Sequence, residues 1–125
     1  MAALKKFNEA FDEFHRRGYW MHIFPEATRW DYYKPLRPFQ KGAFTMAYKY
    51  DMPLLPCVIT YRERTGIFKL FGPKELPLLQ CEIGEPIFPD KEQPRAQEVN
   101  RLIETAHKQM EQMAGIMHNP WPNTI

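Results

Sequence analysis

Apolar residues open the chain at helical spacing. Leu4, Phe7, Phe11 and Phe14 recur with Lys, Asn, Glu and Asp between them, which predicts an amphipathic helix over residues 2–16, ended by Gly18. The aromatic run over residues 19–24, stopped by Pro25, predicts a buried strand. Residues 25–40 hold three prolines and no sustained period, so they read as a long loop of the kind that often carries function. A helical pattern resumes over residues 40–50, with Ala43, Phe44, Ala47 and Tyr48 on one side. A second apolar run predicts a central strand from Leu55 onward, with Pro53 ahead of the ladder. Residues 67–71 and 78–83 predict two further strands on either side of Gly72-Pro73. Val99, Leu102, Ile103, Ala106, Met110 and Met113 define a long amphipathic helix over residues 93–115, and residues 118–125 read as a tail. Helices alternating with strands predict an α/β fold: a mixed, partly parallel sheet flanked by helices, with at least one parallel βαβ unit. Residues 1–117 form one unit in this reading.

Composition narrows the function more than the fold. Hydrophobic residues make up 44% and charged residues 26%, within the range of ordinary globular domains. A formal net charge of +2 is too mild to imply nucleic acid, and no nucleic-acid partner is expected. Any affinity for anions must come from local placement of Lys and Arg. No stretch approaches the roughly 20 apolar residues of a spanning helix, and the first residues, Met1 to Lys6, lead into Glu and Asp rather than an apolar core. Cys57 and Cys81 form no metal spacing and read as small buried residues; no metal is expected.

The chemistry concentrates in residues 24–43. A strand ending at Phe24 would deliver Glu26, Thr28 and Arg29 into a loop at its C-terminal end, the edge where open α/β sheets bind ligands. Arg29 offers a forked guanidinium suited to a phosphate. Lys41 and Gly42 stand where the next helix begins, so backbone N–H groups and the helix dipole favour the same anion. Thr28 adds a hydroxyl, and Glu26 would orient the guanidinium or accept a substrate hydroxyl. Spacing alone is equally consistent with a loop salt bridge between Glu26 and Arg29 and a solvated Lys41.

Phe24-Pro25-Glu26-Ala27-Thr28-Arg29 resembles the F-P-E-G-T-R block of the 1-acylglycerol-3-phosphate acyltransferase family, the phospholipid/glycerol acyltransferases. Residues 39–44 are similar to that family's F-K-K-G-A-F segment, and residues 52–58 to its V-P-I-V-P-V block, in the same order. The resemblance implies transfer of an acyl group from an acyl thioester, on coenzyme A or acyl carrier protein, to the hydroxyl of a lysophosphatidic acid or glycerophosphate-type acceptor in phospholipid biosynthesis. It implies that Glu26 and Arg29 hold the acceptor's glycerol and phosphate, that Thr28 and Gly42 shape the pocket, and that Lys41 adds positive charge. It further implies no bound cofactor and peripheral attachment to the cytoplasmic face of a membrane. Ala27 departs from the motif's Gly and argues against a left-handed backbone there.

The family's catalytic pair is a histidine and an aspartate separated by four residues, the histidine acting as general base. Five positions after His15, His22, His107 and His118 stand Trp20, Ala27, Gln112 and Asn123, so this chain offers no catalytic residue of that type. The expectation is therefore the C-terminal part of an acyltransferase domain, inactive in isolation and partnered by a missing N-terminal segment. The competing expectation is a catalytically inactive remnant, or a phosphate-binding module that needs a partner segment. An incomplete domain would expose apolar faces and associate.

Overall fold

The computed structural model describes residues 2–28, 36–62, 64–71 and 78–116. Helix α1 spans Ala2–Arg16, α2 Lys41–Tyr50 and α3 Arg95–Met113, while strands β1, Cys57–Arg62, and β2, Leu78–Ile83, form the sheet. Each helix stops in the same way. The residue after its last turn takes a left-handed conformation (Gly18 at φ 67°, Asp51 at φ 53° and Gly115 at φ 69°). The amide one position further on then reaches back across the turn: Tyr19 N to Phe14 O (3.2 Å), Met52 N to Ala47 O (2.9 Å) and Ile116 N to Glu111 O (2.9 Å). This closure satisfies carbonyls that the helix end would leave unpaired. At α1 the Phe14 and Tyr19 rings meet edge to face at 5.7 Å, the apolar contact that accompanies such a cap.

The core lies between α2 and α3. Phe39, Phe44, Ile87, Val99, Leu102, Ile103 and Ala106 are buried together, with Leu36, Leu54, Tyr48 and Met110 packed at the edge. Each fully buried aliphatic or aromatic side chain contributes about 1.5–3 kcal/mol, so this cluster carries most of the apolar stabilisation. Tyr48 Oη donates to Gln93 O at 3.0 Å, and Lys91 Nζ donates to Tyr48 O at 2.6 Å, tying the last turn of α2 to the approach to α3. Helix α1 adds the buried side chain of Phe11, whose ring stacks on Tyr50 at 4.9 Å while Asp12 accepts from Tyr50 Oη.

Residues 84–90 run antiparallel to α3, held to it at Glu85, Phe88 and Asp90. The Gln109 amide, oriented by its hydrogen bonds, accepts from Glu85 N (2.8 Å) and donates to Glu85 O (3.3 Å). Arg101 Nη2 donates to Phe88 O (2.9 Å), and Glu98 Oε1 accepts from Asp90 N (2.8 Å). At the start of this run the backbone comes close to α3: a Cβ on Gly84 would sit 2.8 Å from Met113 Sδ and 3.1 Å from the Gln109 amide. Met110 and Met113 are thus packing residues.

Several expectations change. The sheet is two-stranded and antiparallel, Cys57 facing Ile83 and Arg62 facing Leu78, so neither the partly parallel sheet nor the central position of β1 is found among the described residues. Residues 19–24 join no ladder, and Tyr19, Trp20, Ile23 and Phe24 are exposed. An aromatic run reports a preference for a half-buried pleated surface, and it forms a strand only where a neighbour supplies the ladder. Residues 67–71 are not a strand either: Gly66–Lys69 is a short 3-10 helix. Gly66 at φ 58° turns the chain, and Arg64 Nη1 donates to Phe71 O (2.6 Å), occupying a carbonyl that a ladder would use. Cys57 and Cys81 are exposed rather than buried.

Candidate functional site

The candidate site is built around a tight turn and the start of α2. Ala27 N donates to Phe24 O at 3.1 Å, closing a four-residue turn over Pro25 and Glu26. Pro25 suits the first corner because its ring presets φ. Two hydrogen bonds then tie this turn to the chain entering α2. Gln40 N donates to Pro25 O at 2.7 Å, and Arg37 N donates to Glu26 Oε2 at 2.9 Å. The loop that leaves at Ala27 returns at Leu36 with both of its ends fastened at the base.

Phe39 anchors the returning strand of that loop. Its ring is buried, stacks on Phe44 at 5.9 Å and meets the edge of the His107 imidazole at 4.7 Å. Burial of Phe39 fixes where α2 begins. Gln40 is extended, at φ −81° and ψ 140°, and its side chain does not cap the helix. Lys41 and Gly42 form the first turn and are exposed. A Cβ on Gly42 would meet nothing within 4 Å, so an anion could approach the backbone closely there.

The five residues proposed from sequence divide into three groups. Glu26 is brought against the approach to α2, where its described partner is the Arg37 amide, so its carboxylate helps to hold the base of the loop closed. Thr28, Lys41 and Gly42 are exposed at the two ends of the loop. Arg29 lies outside the described residues, as do Trp30, Tyr32 and Tyr33. His22 is exposed, its ring 4.6 Å from that of Phe24.

Residues 2–60 match the protein-family model described as Acyltransferase. The matched segment is just under half of the chain and contains α1, the fastened loop, α2 and the start of β1, with all five candidate residues inside it. Comparison with curated proteins and with solved structures returned no match for the chain.

Within the acyltransferase-like segment, Ala27 corrects the sequence expectation. Its φ is 52°, so the backbone is left-handed where the F-P-E-G-T-R motif has Gly. That conformation costs a Cβ-bearing residue roughly 1–2 kcal/mol, while glycine loses about 0.4–1 kcal/mol more through the entropy of the unfolded chain. Ala27→Gly is therefore expected to raise stability by up to about 1 kcal/mol in urea denaturation. A loss of stability would show that the turn holds another conformation.

Two buried polar residues escaped the sequence reading. His107 packs in the core with Nδ1 3.5 Å from Glu111 Oε2, and its buried Nε2 has no hydrogen-bond partner among the described residues. Glu98 is fully buried at the start of α3 and receives both Nε (2.8 Å) and Nη2 (2.6 Å) of Arg101. That bidentate grip, followed by the Asp90 amide, holds the Glu98 carboxyl below the ordinary carboxylate range, against the opposing effect of its burial. Helical period carries a signal for both. Glu98 stands four residues before Leu102, and His107 four residues after Ile103, on the faces that the apolar residues bury.

Proposed function

We propose that this chain is part of an O-acyltransferase that moves an acyl group from a thioester on coenzyme A or acyl carrier protein to a lysophosphatidic acid or glycerophosphate-type acceptor. The observation that carries this reading is the fastened turn from Phe24 to Ala27, tied to the approach to α2 inside the segment that matches the Acyltransferase family model. The phosphate of the acceptor lies at the first turn of α2, against the amides of Lys41 and Gly42 and the ammonium of Lys41, and takes the fork of Arg29. Thr28 and Glu26 face its glycerol hydroxyls. In the reaction the acceptor's hydroxyl oxygen attacks the thioester carbonyl carbon, the C–S bond breaks, and the thiol leaves with the hydroxyl's proton. A base must take that proton, and none of the four histidines of this chain is followed by an aspartate at the motif spacing. The chain is therefore expected to bind the acceptor without turning it over until a segment bearing the base joins it. No helix among the described residues is long and apolar enough to cross a membrane, and the lipid acceptor makes peripheral attachment at the cytoplasmic face the proposed location.

Glycerol 3-phosphate titrated into the purified chain by calorimetry tests the site. Loss of a charge-assisted bidentate contact costs about 1.5–3 kcal/mol, so Arg29→Ala is expected to weaken binding by roughly 10- to 100-fold. Equal affinity in the wild-type chain and the variant would remove Arg29 from the site. The absence of the pair from this sequence also favours a second reading, a phosphate-binding module without catalysis. Thermal stabilisation by phosphate, with no turnover after a base-bearing segment is supplied, would select it.

A further inference from the structure

The two faces of the sheet are apportioned the wrong way round for a sheet that stands alone. Toward the rest of the molecule it turns Val58, which is buried, with Thr60, Gln80 and Glu82 half-buried, and Gln80 Nε2 donates to Glu82 Oε1 at 2.5 Å. Toward solvent it turns Cys57, Ile59 and Tyr61 of β1 and Leu79, Cys81 and Ile83 of β2, six neighbours with no charge among them. Ile59 is 56% exposed, Tyr61 61%, Leu79 67% and Ile83 66%. Monomeric domains rarely leave so continuous an apolar face in water.

We propose that this face is the contact between two copies of the chain, packed as a sandwich about a two-fold axis parallel to the strands. Such an axis lays β1 of one copy over β2 of the other, row by row, following the register within each sheet. Cys57 then lies over the partner's Ile83, Ile59 over the partner's Cys81, and Tyr61 over the partner's Leu79. In two of the three rows a small side chain meets a large one, the alternation that lets facing layers fill at native density. The exposed side chains present on the order of 600 Å² per copy, so a pair buries about 1,200 Å², the lower edge of the range for stable specific interfaces. A lipid surface is the weaker occupant, because the face carries no cation to meet anionic headgroups. The proposal stands independently of the acyltransferase reading.

Sedimentation equilibrium of the full chain, combined with thiol labelling, tests it. A concentration-dependent dimer is expected, in which Cys57 and Cys81 react about tenfold more slowly than in the monomer, as for groups populated openly only in a minor state. Ile59→Glu places an unpaired charge in the contact and is expected to raise the dimer Kd by on the order of 100-fold and restore labelling. Leu79→Lys should do the same, and serves if Ile59→Glu fails to fold; circular dichroism checks folding in each. A wild-type chain that is monomeric at every concentration overturns the proposal. So does a dimer whose two thiols remain fully reactive, or a monomer whose thiols are protected by phosphatidylcholine–phosphatidylglycerol vesicles instead.

Discussion

Arg101→Ala is expected to lower stability by about 3 kcal/mol at neutral pH, the cost of leaving a buried carboxylate without its cation. The Glu98 side chain is 1% exposed and that of Arg101 46%, so the variant removes the accessible partner and strands the inaccessible one, with the Asp90 amide still donating to it. The same guanidinium nitrogen also donates to Phe88 O, so the run from Glu85 to Asp90 loosens from α3 as well. The effect depends on pH in a definite direction. The folded carboxyl of Glu98 titrates below its unfolded value of about 4.3, so its contribution is fully present above that value and is lost as pH falls through the lower, folded one. In the variant, burial without a cation pushes the same carboxyl up, and protonation in acid relieves the cost. The gap between wild type and variant in urea denaturation is therefore widest near neutrality and narrows below about pH 4. A gap independent of pH would mean that Arg101 acts through packing alone.

Glu26 gives the largest expected effect on binding that the described residues carry. Glu26→Ala removes the acceptor for the Arg37 amide and opens the base of the loop, whereas Glu26→Gln keeps an oxygen in that position. A hydrogen bond to a charged group contributes about 1.5–3 kcal/mol, so Glu26→Ala is expected to weaken glycerol 3-phosphate binding by roughly tenfold or more. Glu26→Gln should stay close to wild type. Equal losses in both would show that the negative charge itself matters, through a guanidinium or a substrate hydroxyl, rather than the tie to Arg37.

Period and stop signals carried most of the fold into the sequence. Phe7, Phe11 and Phe14 with Gly18 marked α1, Ala43, Phe44 and Ala47 marked α2, and the stripe from Val99 to Met113 marked α3, each within two residues of its observed ends. The runs that became β1 and β2 were legible for the same reason. Pairing was not, because a single strand's composition does not say which neighbour supplies its ladder, or in which direction. Residues 67–71 misled because Ile67, Phe68, Leu70 and Phe71 satisfy the composition of a strand, while the outcome depended on Gly66 and on a guanidinium reaching two carbonyls. At the candidate site the motif located Glu26, Lys41 and Gly42 but not the bond that uses Glu26. Its carboxylate reaches a backbone amide eleven residues away, which no local pattern encodes. Ala27 shows the opposite error: residue identity argued against a left-handed turn that the surrounding hydrogen bonds impose.

The clasp formed by Pro25 with Gln40 and by Glu26 with Arg37 fastens the approach to α2 through residues on either side of the segment between Thr28 and Leu36. Closing a longer span of chain costs only about 0.6 kcal/mol for each doubling in length, and the clasp uses backbone atoms on three of its four sides. Substitutions, and even insertions, between Thr28 and Pro35 can thus accumulate while the anchorage of α2 stays put. In stability terms, the length and composition of that segment are free to vary on a fixed platform, much as antibody loops vary on a constant framework.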